Sequence, residues 1–336
     1  MKLTNYTPFP SLCFESRRRD DTPFRVIVAR MTLDLQGSRA LRLSRVQRPL
    51  NFTDLHWGEP GCSSVREESD LAPFKPRTDV VVVGTARSLG AVALPAWEVK
   101  VRVGQTEKHL RVTGPRWWVR DGEGRFKLTD PEPCTEVPLR YEHALGGPTS
   151  AENPLGVGLY DGGSLADKDR VPAPRIESDA APVREWGKAL LPEGFGVYGR
   201  AWQPRLAFAG TYDDAWLERT WPRYPEDFNF GYWNGAHPDL VVPYLKGDEE
   251  VELVGFHVEG AFRFRLPGHY VFVLLRYGGG FALPHPMWCD TLIIDTEVAR
   301  VSMVYRLGVP LEPAVSRAEI RMRFNDPDAT AELRHG

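Results

Sequence analysis

A segment crowded with aromatic residues and broken by prolines and glycines constrains this chain more than any other feature. Between Trp202 and Trp233 the sequence holds ten aromatic residues, and prolines and glycines divide the surrounding residues 194–250 into short pieces. No single piece is long enough to bury that much ring surface. The segment is therefore predicted to be a loop wrapped onto a β core or the wall of a binding surface. For most of the rings, the pattern favours a loop held by its own aromatic residues.

The remainder of the chain predicts an all-β protein. Residues 79–86 form a continuous apolar run that is typical of a buried strand. Residues 97–103 and 108–113 alternate apolar and polar side chains, as in a hairpin with one solvated face. One short helix is predicted at residues 213–219, because acidic residues begin it and Pro222 ends it. Further strands are expected at residues 25–35, 116–120, 251–256, 261–266, 270–276, 292–295 and 298–306.

The order of these elements predicts antiparallel, β-sandwich-like sheets in two halves, with long Pro/Gly/aromatic loops and few short helices. Residues 1–130 would form the N-terminal β half, and residues 131–193 a loop-rich crossing segment. Residues 194–311 would contain the aromatic loop region and the C-terminal β half. Residues 312–336 are polar and charged and are expected to be a loosely held tail.

Composition narrows the possible partners. A net charge of −3 gives no reason to expect nucleic acid or an anionic membrane as a partner. No apolar run reaches the roughly 18 residues of a spanning helix, so membrane insertion is not expected. The first residues lack the apolar core of a signal peptide, which favours a cytoplasmic location. The four cysteines form no CxxC pair and are predicted to be buried free thiols of a reducing cytosol, with one disulfide as the alternative.

The sequence predicts neither a metal site nor a cofactor site. The eight histidines lie on different predicted elements and show no HxH or HExxH spacing. His285, Cys289 and Asp290 are near one another, but a zinc site would need further ligands from elsewhere. Gly84 and Ala86 follow a strand as in a dinucleotide turn, yet no helix pattern comes after them.

Carboxylates near the aromatic residues leave a second function class open. Glycoside hydrolysis needs two carboxyl groups that flank a sugar in an aromatic cleft. The same carboxylates also suit helix caps and turns, and we favour these structural roles, with no catalytic residue. The carboxylates considered are Glu142, Asp213, Asp214, Asp227, Asp239 and Glu249.

Several sequence blocks together resemble a known family. They include residues 138–147 (PLRYEHALGG), 202–216 (WQPRLAFAGTYDDAW), 223–240 (RYPEDFNFGYWNGAHPDL) and 290–306 (DTLIIDTEVARVSMVYR). In this order they resemble a domain-of-unknown-function family encoded beside type VI secretion spike genes in Gram-negative bacteria. The resemblance extends over nearly the whole chain, to about Leu311. The residues around 229–233 vary from the family's pattern.

The resemblance implies a non-enzymatic accessory role. Relatives are similar to adaptors or chaperones that bind a toxic effector, often linked to a PAAR-type tip domain, and help load it onto the VgrG spike. The implied partners are therefore the effector, the PAAR-type domain and the VgrG spike. The family offers no catalytic residues to transfer, and the oligomeric state stays open.

An adaptor needs aromatic and arginine side chains at a desolvated contact, because these residues carry most of the binding energy of protein interfaces. The aromatic segment is the richest source of both. A competing interpretation is that its rings seal the core beneath the loop. An alternative function is a carbohydrate-binding or carbohydrate-cleaving β protein that uses the aromatic region. The predicted partner-binding residues are Trp216, Trp221, Arg223, Tyr224, Tyr232 and Trp233.

Overall fold

The structure, a computed structural model, describes residues 1–37, 40–160, 169–311 and 315–323. One α-helix in this part of the chain, α1, covers Asp214–Arg219, and 3-10 helices cover Leu89–Ala91, Tyr141–His143, Arg205–Ala209, Phe230–Trp233 and Pro238–Leu240. The strands are β1 (Lys2–Asn5), β2 (Ser11–Arg17), β3 (Pro23–Gln36), β4 (Ala40–Leu43), β5 (Leu55–His56), β6 (Val65–Glu67), β7 (Thr78–Val83), β8 (Thr85–Arg87), β9 (Ala96–Val103), β10 (Thr106–Thr113), β11 (Trp117–Arg120), β12 (Phe126–Leu128), β13 (Glu136–Pro138), β14 (Leu145–Gly146), β15 (Val157–Gly158), β16 (Arg170–Pro172), β17 (Ile176–Glu177), β18 (Val241–Val242), β19 (Glu250–Val254), β20 (Phe262–Arg265), β21 (Tyr270–Tyr277), β22 (Ala282–Pro286), β23 (Trp288–Asp295), β24 (Arg300–Pro310) and β25 (Val315–Arg323).

The strands form four sheets of three or more strands. The largest has the order β18-β7-β23-β24-β3-β2, with β4 also paired to β3. A five-stranded sheet has the order β17-β10-β9-β19-β20, a four-stranded sheet β1-β25-β21-β22, and a three-stranded sheet β12-β11-β16. Most pairs are antiparallel, whereas β7–β23, β1–β25 and β14–β15 are parallel. The predicted mainly β class is confirmed.

Strands from both predicted halves share the two largest sheets. The seven-stranded sheet joins β2, β3 and β7 to β18, β23 and β24, and the five-stranded sheet joins β9 and β10 to β19 and β20. The boundaries predicted at residues 130 and 193 therefore do not separate two sheets. Pairing between strands distant in sequence cannot be read from local periodicity, which explains the difference.

Local predictions agree with the structure where the hydrophobic pattern is simple. The strands predicted at residues 25–35 and 79–86 correspond to β3 and to β7 with β8, and the predicted hairpin is β9–β10. The predicted helix is α1, and Asp213 caps it by accepting a hydrogen bond from the Trp216 amide. No helix among the described residues has the length and apolar character needed to cross a membrane.

The tail predicted at residues 312–336 contains a strand. β25 lies between β1 and β21, and its Ile320 is fully buried. The charged residues of this strand mask its apolar positions in the sequence, because one of them is itself buried: Glu319 is 1% exposed and pairs with Arg276 at 2.5 Å. Residues 312–314 and 324–336 lie outside the described residues.

The four cysteines are free thiols, as predicted, but only one is buried. Cys289 is buried in β23, Cys13 and Cys134 are half-buried, and Cys62 is exposed on a loop. The expectation of buried thiols is therefore wrong for Cys62.

The two faces of the seven-stranded sheet differ in polarity, because successive strand residues point to opposite sides. On one side of β3, Ile27, Ala29 and Met31 enter the main apolar core, which also includes residues of the five- and four-stranded sheets. On the other side, Arg30 and Thr32 are fully buried polar residues. The second face therefore needs a polar cover.

Residues 66–79, called here the ionic segment, supply charged groups to that polar face. Glu67 accepts a 2.6 Å hydrogen bond from Arg30, and Asp70 lies 3.3 Å from the same guanidinium. Arg306 of β24 donates to the backbone oxygen of Asp70 at 2.8 Å and of Ala72 at 2.6 Å. Buried charges are tolerated only when they are paired and hydrogen-bonded, so this segment and the sheet depend on each other.

We predict that Glu67→Gln lowers the free energy of unfolding by roughly 3–5 kcal/mol, because the buried Arg30 loses its shortest ionic partner. Urea denaturation measures the change. Glu59→Gln, at an exposed position of the preceding loop, is the matched control and should change stability by less than about 0.5 kcal/mol. Equal stability of the two variants would contradict the prediction.

Candidate functional site

The aromatic segment forms an arm that leaves the body of the protein and returns to it. This arm, residues 205–233, begins and ends in 3-10 helices that pack against each other. Across its stem, the Asn229 amide donates to the Phe208 carbonyl oxygen at 2.9 Å. Asp227 accepts from the Thr211 amide at 2.9 Å and from the Thr211 hydroxyl at 2.8 Å. These bonds join the two sides of the stem. Residues 212–226 lie beyond them and are called here the tip of the arm.

The tip of the arm is a small folded unit that exposes large apolar side chains. The indole Nε1 of Trp216 donates to the Arg223 carbonyl oxygen at 3.0 Å, and its ring meets Tyr212 edge-on at 4.7 Å. Trp221 is 63% exposed and Leu217 is 60% exposed. Large exposed side chains on an otherwise ordered tip are typical of a contact surface.

A ladder of ring contacts runs from the tip to the body. Tyr224 stacks on Phe228 with 4.3 Å between centroids, and Phe228 meets Phe230 edge-on at 5.2 Å. Phe230 then meets Phe74 of the ionic segment at 5.6 Å. The arm is therefore held in part by its own rings, as the sequence predicted.

The ionic segment anchors the start of the arm. Glu68 pairs with Arg205 at 2.8 Å and with Arg200 at 2.9 Å. Arg205 also donates to the carbonyl oxygens of Tyr198 at 2.6 Å and Tyr232 at 2.8 Å, so it bridges both ends of the arm. Burial alone would raise the pKa of Glu68, but Arg205, Lys75 and Arg200 lower it to about 2. Glu68 is therefore ionised at neutral pH.

The same segment anchors the residues that follow the arm. Asp79 accepts hydrogen bonds from the Asn234 side chain at 3.0 Å and from the amides of Gly235 at 2.9 Å and Ala236 at 3.2 Å. Gly235 is required by space, because a Cβ atom there would lie 2.1 Å from a Glu68 carboxylate oxygen. Two carboxylates of one segment thus fix the arm at both ends.

The six predicted partner-binding residues divide between the tip and the base of the arm. Trp221 and Arg223 are exposed, and Trp216 and Tyr224 are half-buried. Tyr232 and Trp233 are half-buried at the base, where Arg205 and Arg200 lie over their rings at 5.7 and 5.6 Å. Of the ten aromatic residues in the segment, Trp202 and Phe228 are buried. The competing interpretation, that these rings seal the main core, fits Trp202.

An open cleft of about 540 Å³ lies beside the arm, at one end of the seven-stranded sheet. Aromatic side chains form its walls, and Tyr244 stacks on Trp288 with 5.0 Å between centroids. Arg18, Arg19 and Asp20, at the turn between β2 and β3, also line it. The aromatic lining residues are Phe24, Phe74, Phe230, Tyr244 and Trp288.

Paired charges lie at the base of this cleft. A β-bulge in β23 falls at Asp290, between Cys289 and Thr291, and such bulges redirect side chains. The Asp290 carboxylate accepts from Arg306 at 2.6 Å and from the Thr291 hydroxyl at 3.0 Å. Lys75 pairs with Asp79 at 2.7 Å and donates to the Thr291 hydroxyl at 3.1 Å. Each of these charges therefore has a protein partner.

Five of the six carboxylates considered for glycoside hydrolysis make structural contacts. Glu142 accepts from the amide and hydroxyl of Ser64, Asp213 caps α1, and Glu249 accepts from the amides of Lys246 and Gly247. Asp227 holds the stem of the arm, and Asp239 pairs with Lys108. These contacts agree with the preference for caps and turns.

One cluster of potential metal ligands was not predicted. Glu193, His237 and Asp239 place ligand atoms within 4.8 Å of one another. The Lys108 ammonium occupies this cluster, 2.5 Å from Glu193 and 2.7 Å from Asp239. A lysine in the position of a cation indicates a structural ion cluster rather than a metal centre. Lys108 and Glu193 are far in sequence from His237 and Asp239. The sequence therefore does not indicate that these four residues form a cluster.

We predict that His237 makes the protein less stable in acid. Burial and the nearby Lys108 charge lower its pKa from 6.5 to about 4, although Asp239 opposes the shift. Between these values the unfolded chain binds a proton that the folded chain does not, so stability is full above pH 6.5 and falls toward pH 4. This group should contribute a loss on the order of 2–3 kcal/mol between pH 7 and 4. Urea denaturation across this range should show a weaker pH dependence for His237→Gln, and an unchanged dependence would contradict the assignment.

A family model described as an uncharacterized protein conserved in bacteria (DUF2169) matches residues 20–306. This match includes the ionic segment, the arm and most of the residues that line the cleft. No curated protein and no solved structure matches the chain.

Proposed function

The chain belongs to the bacterial DUF2169 family, and from this premise we propose that it is a non-enzymatic adaptor that grips another protein with its aromatic arm. The partner in this proposal is a type VI secretion effector, often linked to a PAAR-type domain, that the adaptor helps to load onto the VgrG spike in the cytoplasm.

The observation that carries the proposal is the exposed tip of an arm whose base is anchored by buried ion pairs and hydrogen bonds. Trp221 and Leu217 present large apolar surfaces to solvent, while Asp213 and Trp216 fix the local backbone by hydrogen bonds. Binding to a pre-organised surface costs less conformational entropy than binding to a flexible loop. Exposed tryptophan on such a surface is characteristic of an interface hot spot.

The pairing of the ionisable groups in the cleft also supports a binding function rather than a catalytic one. General acid–base catalysis needs a group within reach of substrate and free to exchange a proton. Asp290, the buried carboxylate of the cleft, is held by Arg306 and Thr291, and Lys75 is held by Asp79. These side chains stabilise the fold that displays the arm.

The class of partner follows from the resemblance of the sequence blocks to the secretion-associated family. The block at residues 223–240 contains the second half of the arm and its C-terminal anchor, so the resemblance includes the proposed contact surface. The variation at residues 229–233 falls at the base of the arm, and we propose that it affects the choice of partner.

We predict that Trp221→Ala weakens capture of the effector or spike protein by about tenfold or more while the protein stays folded. Trp221 makes no ring contact with another described aromatic residue within the arm, so its removal should leave the melting temperature nearly unchanged. Pull-down and titration of the variant and the unchanged protein with a type VI effector, a PAAR-type domain and a VgrG spike protein measure the difference.

Phe281→Ala is the matched control, because Phe281 is 54% exposed at the turn between β21 and β22, outside the arm. Its affinity should stay within about twofold of the unchanged protein. The proposal fails if neither variant alters capture, or if the unchanged protein captures no secretion component offered to it.

A further inference from the structure

The cleft beside the arm presents aromatic surface to solvent, and no element among the described residues covers it. Trp288 is 49% exposed and Phe74 is 42% exposed, although both pack against another ring on one side. Phe230 connects this cleft to the base of the arm. A polypeptide that contacts the arm can therefore continue into the cleft.

Two arginines add positive charge at the cleft. Arg18 and Arg19 are exposed on the turn between β2 and β3, and neither forms a salt bridge with any residue that the structure describes. Arg18 lies over the ring of Phe24, with 5.8 Å to its centroid, which positions its guanidinium beside the aromatic wall. The hydrogen bonds from Thr211 are the main cause of the lowered pKa of Asp227 in the arm, and the positive charge of Arg19 lowers this pKa further.

The two acidic residues of the same turn make contacts within the turn. Asp21 pairs with Arg17 at 3.0 Å, and Asp20 accepts a hydrogen bond from the Thr22 amide at 3.0 Å. The deeper charges cancel in pairs, since Arg306 binds Asp290 and Lys75 binds Asp79. Among the lining charges without a salt bridge to a described residue, Arg18 and Arg19 therefore outnumber the single acid Asp20, and the rim of the cleft carries net positive charge.

We propose that this cleft binds an acidic polypeptide segment that carries an aromatic side chain. The ligand's carboxylates would pair with Arg18 and Arg19, and its ring would pack between Phe74 and Trp288. The volume of about 540 Å³ lies within the roughly 300–1,000 Å³ typical of ligand sites. Guanidinium groups are well suited to carboxylates, because they donate two parallel hydrogen bonds. The inference rests on the proposed function, since it names the kind of segment that a bound protein inserts.

Fluorescence anisotropy with three labelled peptides tests this assignment on the full chain. One peptide alternates glutamate with phenylalanine, a second has lysine for glutamate, and a third has alanine for phenylalanine. The first should bind, and raising the salt concentration should weaken it, because exposed charge pairs are screened. The second and third should bind at least about tenfold more weakly.

Protein variants locate the site. The double variant R18E/R19E and the variant Trp288→Ala should each weaken the first peptide by about tenfold or more. R42E/R45E is the matched control for charge, because both arginines are exposed near the opposite end of β3. Phe281→Ala is the control for an exposed ring outside both the cleft and the arm. Both controls should bind the peptide within about twofold of the unchanged protein.

The proposal is overturned if the lysine peptide binds as well as the glutamate peptide, if R18E/R19E binds normally, or if no peptide binds. Binding of a nucleotide or an acidic oligosaccharide in place of the peptide would also overturn it. Failure of the adaptor function has a different signature: the peptide binds at the cleft, yet no secretion component is captured and Trp221→Ala changes nothing.

Discussion

Buried ion pairs between the ionic segment and the rest of the chain are the interaction on which this structure depends. Glu67 and Asp70 pair with Arg30 on the polar face of the large sheet, and Glu68 pairs with two arginines at the start of the arm. An isolated buried charge costs several kcal/mol, so each group needs its partner in place. The pairs contribute little net stability as isolated units, but they specify one position for the arm.

In this arrangement, anchoring the arm and contacting a partner are roles of different side chains, although loops often combine them. The charged groups are enclosed and paired, whereas most aromatic residues of the arm remain partly exposed. Phe74 belongs to the ionic segment and touches Phe230 of the arm, so both the arm and the cleft are positioned by the same stretch of chain. A partner that binds both surfaces would contact residues fixed by a single network.

Local pattern was sufficient to predict β3, the β9–β10 hairpin and α1, because hydrophobic alternation and capping residues act over short distances. β25 was missed because Glu319 makes a buried strand resemble a polar tail. The aromatic segment was recognised as a candidate surface, but its anchors were not. Glu68 and Asp79 lie far from the arm in sequence, and no periodicity connects them to it.

Hydrogen–deuterium exchange of the Glu68→Gln variant tests the central claim most directly. If the ion pairs fix the arm, backbone amides in residues 205–233 should exchange at least about tenfold faster than in the unchanged protein, as expected for a loss of about 1.4 kcal/mol of local stability. Amides of β3 and β24 should keep their protection. Unchanged exchange in the arm, or equal acceleration in these central strands, would contradict the account.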